Sequence, residues 1–264
     1  MAGLIFIFLV IFIPSLIIYI IVNVGKNKSS KIYKPNIKVI KNKVDLNEKG
    51  KITFSDKCKD KIKNKLILDW LSENLWYCDF EINEKYEINS PTTHDLYIDY
   101  KDTCLPVFIQ FGIVNGGFIL RGDGQYNTLR GCPYKVGGRF SCSNNMLTNL
   151  QYAPEVVGFN CKDGDYCNFN CANNQIESLQ YIPNVKYGDI FIYKNNIISL
   201  DYLQEHIYGN LICSHNNITS LKNFHAIIDG EFDLSYNQLK DWKEINDADF
   251  EALKLNVKHN LFKI

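Results

Sequence analysis

A period repeated five times governs the second half of this chain and restricts its fold more than any other feature. The frame Asn-x-apolar-x-x-Leu/Trp occurs as NMLTNL from Asn145, NQIESL from Asn174, NNIISL from Asn195, NNITSL from Asn216 and NQLKDW from Asn237, in steps of 29, 21, 21 and 21 residues. An apolar pair stands five and three positions before each Asn: Phe140/Cys142, Phe169/Cys171, Ile190/Ile192, Leu211/Cys213 and Phe232/Leu234. Glycine stands seven positions before four of the five, at Gly138, Gly188, Gly209 and Gly230. Alternating apolar residues turn one face of a short strand inward. So short a unit cannot bury that face alone, whereas stacked units share a continuous interior. An Asn at each bend offers its amide to backbone groups that burial would otherwise orphan. A Gly before the strand permits a turn with positive φ.

Two places depart from the frame. GGFILRGDGQYNTL aligns Phe118 and Leu120 with the apolar pair, but Asp123 replaces the Asn and one residue is added before Leu129, so this reads as a degenerate first repeat. The 29-residue step holds an eight-residue insertion within VVGFNCKDGDYCNFNCANN, with Cys161, Cys167 and Cys171 beside Asp163 and Asp165. One reading is a metal or redox site; the other is a bulged loop with buried or free thiols. The second is preferred: Cys171 falls on an inward position, no His is near, and zinc sites normally show closer pairs.

The pattern apolar-x-apolar-x-x-Asn-x-apolar-x-x-Leu is similar to the core of leucine-rich repeats, of a short variety. The stretch VGGRFSCSNNMLTNLQYAPEVV resembles repeats of large DNA viruses of amoebae and some phages. The resemblance covers residues 117–242. It implies one short parallel strand per repeat, a curved sheet, and a structural Asn ladder formed by Asn145, Asn174, Asn195, Asn216 and Asn237. The expected fold is therefore a β-rich leucine-rich-repeat solenoid of about six repeats, capped at both ends.

Residues 52–116 are expected to form a small α+β N-terminal cap. In it Ser55 caps a helix reaching Trp76, with Ile62, Leu66, Trp70 and Leu71 on one face. Cys78, Phe80 and Ile82 alternate as a half-buried strand, and LYIDY and PVFIQF supply others. Residues 243–264 read as the C-terminal cap, where Asp247 or Asp249 starts a short helix bearing Phe250 and Leu253.

Residues 1–24 read as a transmembrane anchor. Leu4 to Val24 runs LIFIFLVIFIPSLIIYIIVNV, 21 positions without a charge. A helix of that length covers about 31 Å, against a hydrocarbon core of about 30 Å, and Pro14-Ser15 permits a kink. A cleaved signal peptide is the rival, but it lacks a positive n-region and a clear cleavage site. Lys26, Lys28, Lys31 and Lys34 follow the span and no Lys or Arg precedes it, which places the C-terminal body in the cytosol. Residues 25–51 form a basic juxtamembrane stalk able to lie against anionic lipid.

The charge is unevenly shared. Residues 25–66 hold fourteen Lys and four acids, whereas 67–264 hold 15 basic and 25 acidic groups. An acidic body makes nucleic acid a poor partner. Nine Cys, an odd number, suit reduced thiols facing the cytosol. The sequons at Asn27 and Asn217 matter only if the body is lumenal.

No phosphate loop, nucleophile elbow or helical zinc motif occurs. His94, His206, His215, His225 and His259 are scattered, and Cys213 is expected to point inward, away from any pairing with His215. The chain is expected to be non-enzymatic and without cofactor. The residues four positions before each Asn (Ser141, Asn170, Phe191, Ile212, Asp233) and two before (Ser143, Ala172, Tyr193, Ser214, Ser235) should point outward. Phe191, Tyr193 and Ile212 then form an apolar centre rimmed by Asp189, Glu231 and Asp233, the anatomy of a protein-binding patch. Cover by the inserted loop or by a second copy is the alternative. The expectation is a single-pass membrane protein that binds an unidentified protein, at a host or virion membrane if the viral resemblance holds. The alternative is a structural, membrane-tethered component of a viral particle or membrane assembly.

Overall fold

The computed structural model describes residues 50–75, 77–121, 124–162, 164–221 and 224–239, with strand backbone also at 5–13, 16–24, 39–40 and 262–263. The chain divides into two units, Met1–Glu48 and Lys49–Ile264. In the first, β1 (Ile5–Ile13) and β2 (Leu16–Val24) pair antiparallel, Ile5 opposite Val24 and Ile13 opposite Leu16, and β3 (Val39–Ile40) joins β2. The apolar run expected as one helix thus takes extended form, and among the described residues no helix is long and apolar enough to cross a membrane. Both segments are rich in Ile, Val and Phe, which favour extended backbone. Pro14 between them lacks the N–H that a continuous helix would use.

The second unit begins with β4 (Ile52–Phe54), α1 (Lys61–Asn74), β5 (Phe80–Ile82), β6 (Ile88–Ser90) and β7 (Leu96–Ile98). Short strands then follow in turn: β8 (Phe111–Val114), β9 (Phe118–Leu120), β10 (Lys135–Val136), β11 (Phe140–Ser141), β12 (Val156–Val157), β13 (Phe169–Asn170), β14 (Asn184–Val185), β15 (Ile190–Phe191), β16 (His206–Ile207), β17 (Leu211–Ile212), β18 (Ile227–Ile228) and β19 (Phe232–Asp233). The last strand is β20 (Phe262–Lys263). They build a parallel β-solenoid of about six turns. One sheet runs β14-β12-β10-β8-β6-β5-β4, a second runs β20-β19-β17-β15-β13-β11-β9-β7, and β16 pairs with β18.

Each turn contributes two strands rather than the single strand expected. The additional strand holds Val136, Val157, Val185, Ile207 or Ile228, all buried. The strand foreseen from the apolar pairs is in register throughout, with Phe118, Phe140, Phe169, Ile190, Leu211 and Phe232 as successive partners. Rings stack along this row, Phe118 on Phe140 at 6.0 Å and Phe140 on Phe169 at 6.1 Å. The two apolar positions after each of the first four ladder Asn, Leu147/Leu150, Ile176/Leu179, Ile197/Leu200 and Ile218/Leu221, close the interior.

Val185 lies five residues before Ile190, whereas Ile207 and Ile228 lie four before Leu211 and Phe232. The extra residue breaks the first sheet between β14 and β16. Gln204 fills the gap with its side-chain amide: Oε1 accepts from the Val185 N–H at 2.7 Å and Nε2 donates to the Val185 carbonyl at 2.9 Å.

The N-terminal cap differs in detail from expectation. Asp60, not Ser55, caps α1, its Oδ1 accepting from the Ile62 and Lys63 N–H groups at 3.0 Å. Ser55 instead continues the extended chain after β4, its N–H bonded to the Ile82 carbonyl at 2.8 Å. The helix buries Ile67, Trp70 and Leu71, leaving Ile62 and Leu66 exposed. LYIDY contributes β7, while the strand expected from PVFIQF starts only at Phe111. Both sheets extend back past residue 117, through β6 and β7, so cap and solenoid share one interior. Asp123, and the C-terminal cap apart from β20, lie outside the described residues; β20 sets Phe262 opposite Phe232.

Candidate functional site

The five frame asparagines make the same bonds in every turn. Their Oδ1 atoms accept from the N–H groups of Tyr126, Leu147, Ile176, Ile197 and Ile218 of the preceding turn, at 3.0–3.1 Å. Each Nδ2 donates within its own turn, to the carbonyls of Cys142, Cys171, Ile192, Cys213 and Leu234. From Asn174 onward Nδ2 also reaches the preceding turn, at Cys142, Cys171, Ile192 and Cys213, all at 3.0 Å. The residue before each Asn, from Asn144 to Tyr236, has φ of 52–58°. That left-handed step bends the chain sharply before the amide, and His215 occupies one such position.

Sequence reasoning missed a second row of side chains, which from Asn168 onward stands six positions before the ladder. Asp95 Oδ1 accepts from the Gly117 N–H, Asn168 from Asp189, Asp189 from Asn210, and Asn210 from Glu231, at 2.6–3.0 Å. Asp189, expected as rim charge of a contact patch, therefore has one carboxylate oxygen holding two turns together. The same row crowds Gly188, Gly209 and Gly230, while neighbouring backbone alone crowds Gly138. Of Gly138, Gly188, Gly209 and Gly230 only Gly188 has positive φ, at 133°. The others are needed for close approach: a Cβ at Gly209 would lie 2.5 Å from Asp189 Oδ1 and 2.6 Å from the Gly188 carbonyl. The signal was the recurrence of Asn or Asp at 168, 189 and 210.

The outward face of the second sheet carries a cross-strand row in register: Tyr97, Ile119, Ser141, Asn170, Phe191, Ile212 and Asp233. Phe191, Tyr193 and Ile212 are half-buried, as are Asp189, Glu231 and Asp233. Asp233 Oδ1 accepts from the Ser235 N–H at 2.9 Å. The inserted loop bonds to a different corner, with Asn160 Nδ2 donating to the Asn115 carbonyl and the Cys161 N–H to Gly158.

Phe191 also borders a groove of about 270 Å³ whose other walls are Tyr97, Ile119, Arg121, Arg139, Ser141 and Asn170, among others. The Arg121 guanidinium sits 4.0 Å from the centre of the Tyr97 ring. Arg139 pairs with Asp95 at 2.7 Å and donates to the Tyr97 hydroxyl at 2.9 Å. Burial works against the Arg139 charge, but Asp95 outweighs it and raises the pKa. The available signal was rarity, since the chain has three Arg against 26 Lys.

Cys161 and Cys167 form a disulfide with Cα atoms 6.4 Å apart, in place of the buried or free thiols preferred for the insertion. Between them the chain turns at Gly164, φ 90°, where the Asp165 N–H donates to the Lys162 carbonyl at 3.0 Å, and so the two residues come together. Asp165 joins them, the ligand atoms of the three lying within 4.8 Å of one another. While the sulfurs are bonded to each other they are not thiolate ligands. Asp163 lies outside the described residues.

The other seven cysteines are free. Cys132, Cys142, Cys171 and Cys213 are wholly buried, and burial holds each thiol well above its ordinary pKa. Burial, with Asp79 nearby, pushes Cys78 up to about 11. Cys213 faces the interior while His215 is exposed and stacked on Tyr236 at 4.2 Å, so the two are not brought together.

Comparison with protein-family models, with curated proteins and with solved structures gives no match.

Proposed function

We propose that the chain is a non-enzymatic contact protein, tethered to a membrane by its apolar N-terminus and binding another protein through the outward face of the second sheet. The observation that carries this reading is the Phe191–Ile212 pair: two large apolar side chains, adjacent across strands and half-buried, with polar Asn170 and Asp233 as their immediate neighbours in the row. An apolar centre with a polar rim suits association. Cys78, Cys132, Cys142, Cys171 and Cys213 are buried with raised pKa, which argues against nucleophilic chemistry at these thiols.

Tethering rests on the uncharged run from Leu4 to Val24. A two-stranded pair leaves unpaired edge groups that hydrocarbon cannot satisfy, so in a bilayer this run is expected to become helical. The lysines that follow favour a cytosolic body resting near anionic headgroups. The likeness to short leucine-rich repeats of large DNA viruses belongs to the same proposal and suggests a host or virion membrane. One observation favours the opposite sidedness. A Cys161–Cys167 disulfide persists best in an oxidising compartment, with the body lumenal or external.

Proximity labelling from the C-terminus of the full chain tests contact and sidedness together. A Phe191→Ser/Ile212→Ser variant with unchanged thermal unfolding should lose the neighbours labelled by the parent chain; retention of all of them would remove this face from the reading. Cytosolic neighbours support the cytosolic body, whereas a glycan at Asn217 would assign it to the lumen.

A further inference from the structure

We propose that the groove beside Phe191 reads a carboxylate, so that the partner is engaged through an acidic side chain set a fixed distance from an apolar one. This rests on the contact reading above and adds the partner's chemistry. Residues 67–264 are acidic overall, yet two of the chain's three arginines border one groove. Their roles differ. Arg139 is held in place by Asp95 and by the Tyr97 hydroxyl, which leaves part of its fork of donors for a ligand. Arg121 lies over the Tyr97 ring, is exposed, and makes no ion pair among the described residues.

Stacking and a planar donor fork are properties of Arg that Lys does not share, and both suit a carboxylate. Among the described residues Asp95 is the only acid bonded to the pair, so the charge at the groove is positive on a body that is acidic overall. An acidic segment is therefore attracted to this point and repelled by the surroundings.

The sheet sets the spacing. Ile119, beneath the arginine end, is three strand steps from Phe191, through Ser141 and Asn170. At 4.7–4.9 Å per step that is about 14 Å, and an extended peptide rising about 3.3 Å per residue covers it in about four residues. The occupant is an extended peptide crossing the strands, an acid over Arg121 and Arg139 and an apolar side chain against Phe191 and Ile212.

The probe is a set of dye-labelled synthetic peptides pairing Glu with Leu through one, three or six Ser residues, titrated against the full-length chain by fluorescence anisotropy. The three-Ser peptide should bind best, with affinity lowered about tenfold by Arg121→Gln, by Glu→Gln in the peptide, and by raised salt. Equal binding of the Gln peptide, indifference to Arg121→Gln, or displacement by inorganic phosphate at lower concentration than by acetate would each overturn the carboxylate assignment. Arg121 is exposed, so its variant should unfold with the parent chain. Failure at the groove is distinguishable from failure of the contact reading. If Arg121→Gln changes nothing while Phe191→Ser/Ile212→Ser abolishes labelling of neighbours, only the groove falls. If the double variant still labels them, the face falls as well.

Discussion

Asn195 shows how much one side chain carries here. Its amide accepts from the Ile176 N–H at 3.1 Å and donates to the carbonyls of Cys171 at 3.0 Å and Ile192 at 3.2 Å. Asn195→Ala leaves the groups of two successive turns without this partner inside the fold. Each buried unsatisfied group costs about 1–3 kcal/mol, so a total loss of about 3 kcal/mol or more is expected in urea unfolding of the full chain. A loss under about 1 kcal/mol would mean that water or a shifted backbone replaces the amide. The recurrence of this residue was legible because Asn stands at all five positions. The left-handed residue before it was not, because Asn144 and Asn173 suit that conformation while Lys194, His215 and Tyr236 disguise it.

At the scale of elements, the second sheet was legible and the first was not. The apolar pairs of β11, β13, β15, β17 and β19 alternate with a constant spacing, and alternation is what sequence reading detects. The strands β10, β12, β14, β16 and β18 each bury one residue in two, too little for a pattern, and the displacement at Val185 disturbs the period. The glycines between the two sheets were seen, but the reason read from the sequence, a positive φ, holds among them only at Gly188. Gly209→Ala should destabilise by about 1–3 kcal/mol, because the methyl meets Asp189 Oδ1 at 2.5 Å and the Gly188 carbonyl at 2.6 Å. Combining it with Asp189→Ala should recover part of that loss in a double-mutant cycle. Strict additivity would show that the clash is with backbone alone. The outward row of the second sheet was partly legible. Phe191 and Ile212 stood out against polar neighbours, whereas Arg121, Arg139 and Tyr97 meet only because β7, β9 and β11 pair, which no local pattern encodes.

The described part of the second unit encloses one continuous apolar interior, and its response to pH should reflect that interior. Cys132, Cys142, Cys171 and Cys213 are neutral in the folded chain, with pKa values raised by burial above the ordinary 9.0. Above pH 9 the unfolded chain gives up these thiol protons and the folded chain keeps them. The unfolded state then binds fewer protons, so stability falls as pH rises past 9 and is fully retained below it. Melting temperature measured from pH 7 to 11 should decline beyond pH 9, and the decline should lessen when Cys142 and Cys171 are replaced by Ala or Val. An unchanged slope would assign it to other groups, such as Tyr126, whose buried hydroxyl is also raised.

The asparagines join successive turns into one body. Amide hydrogen exchange of the full chain reports on this directly, at the N–H groups of Leu147, Ile176, Ile197 and Ile218 that donate to Asn174, Asn195, Asn216 and Asn237. These four should exchange only through global unfolding, as slowly as the N–H groups of Phe169 and Ile190 within the strands. Exchange at the rate of an exposed loop would show that the amides do not hold the turns together.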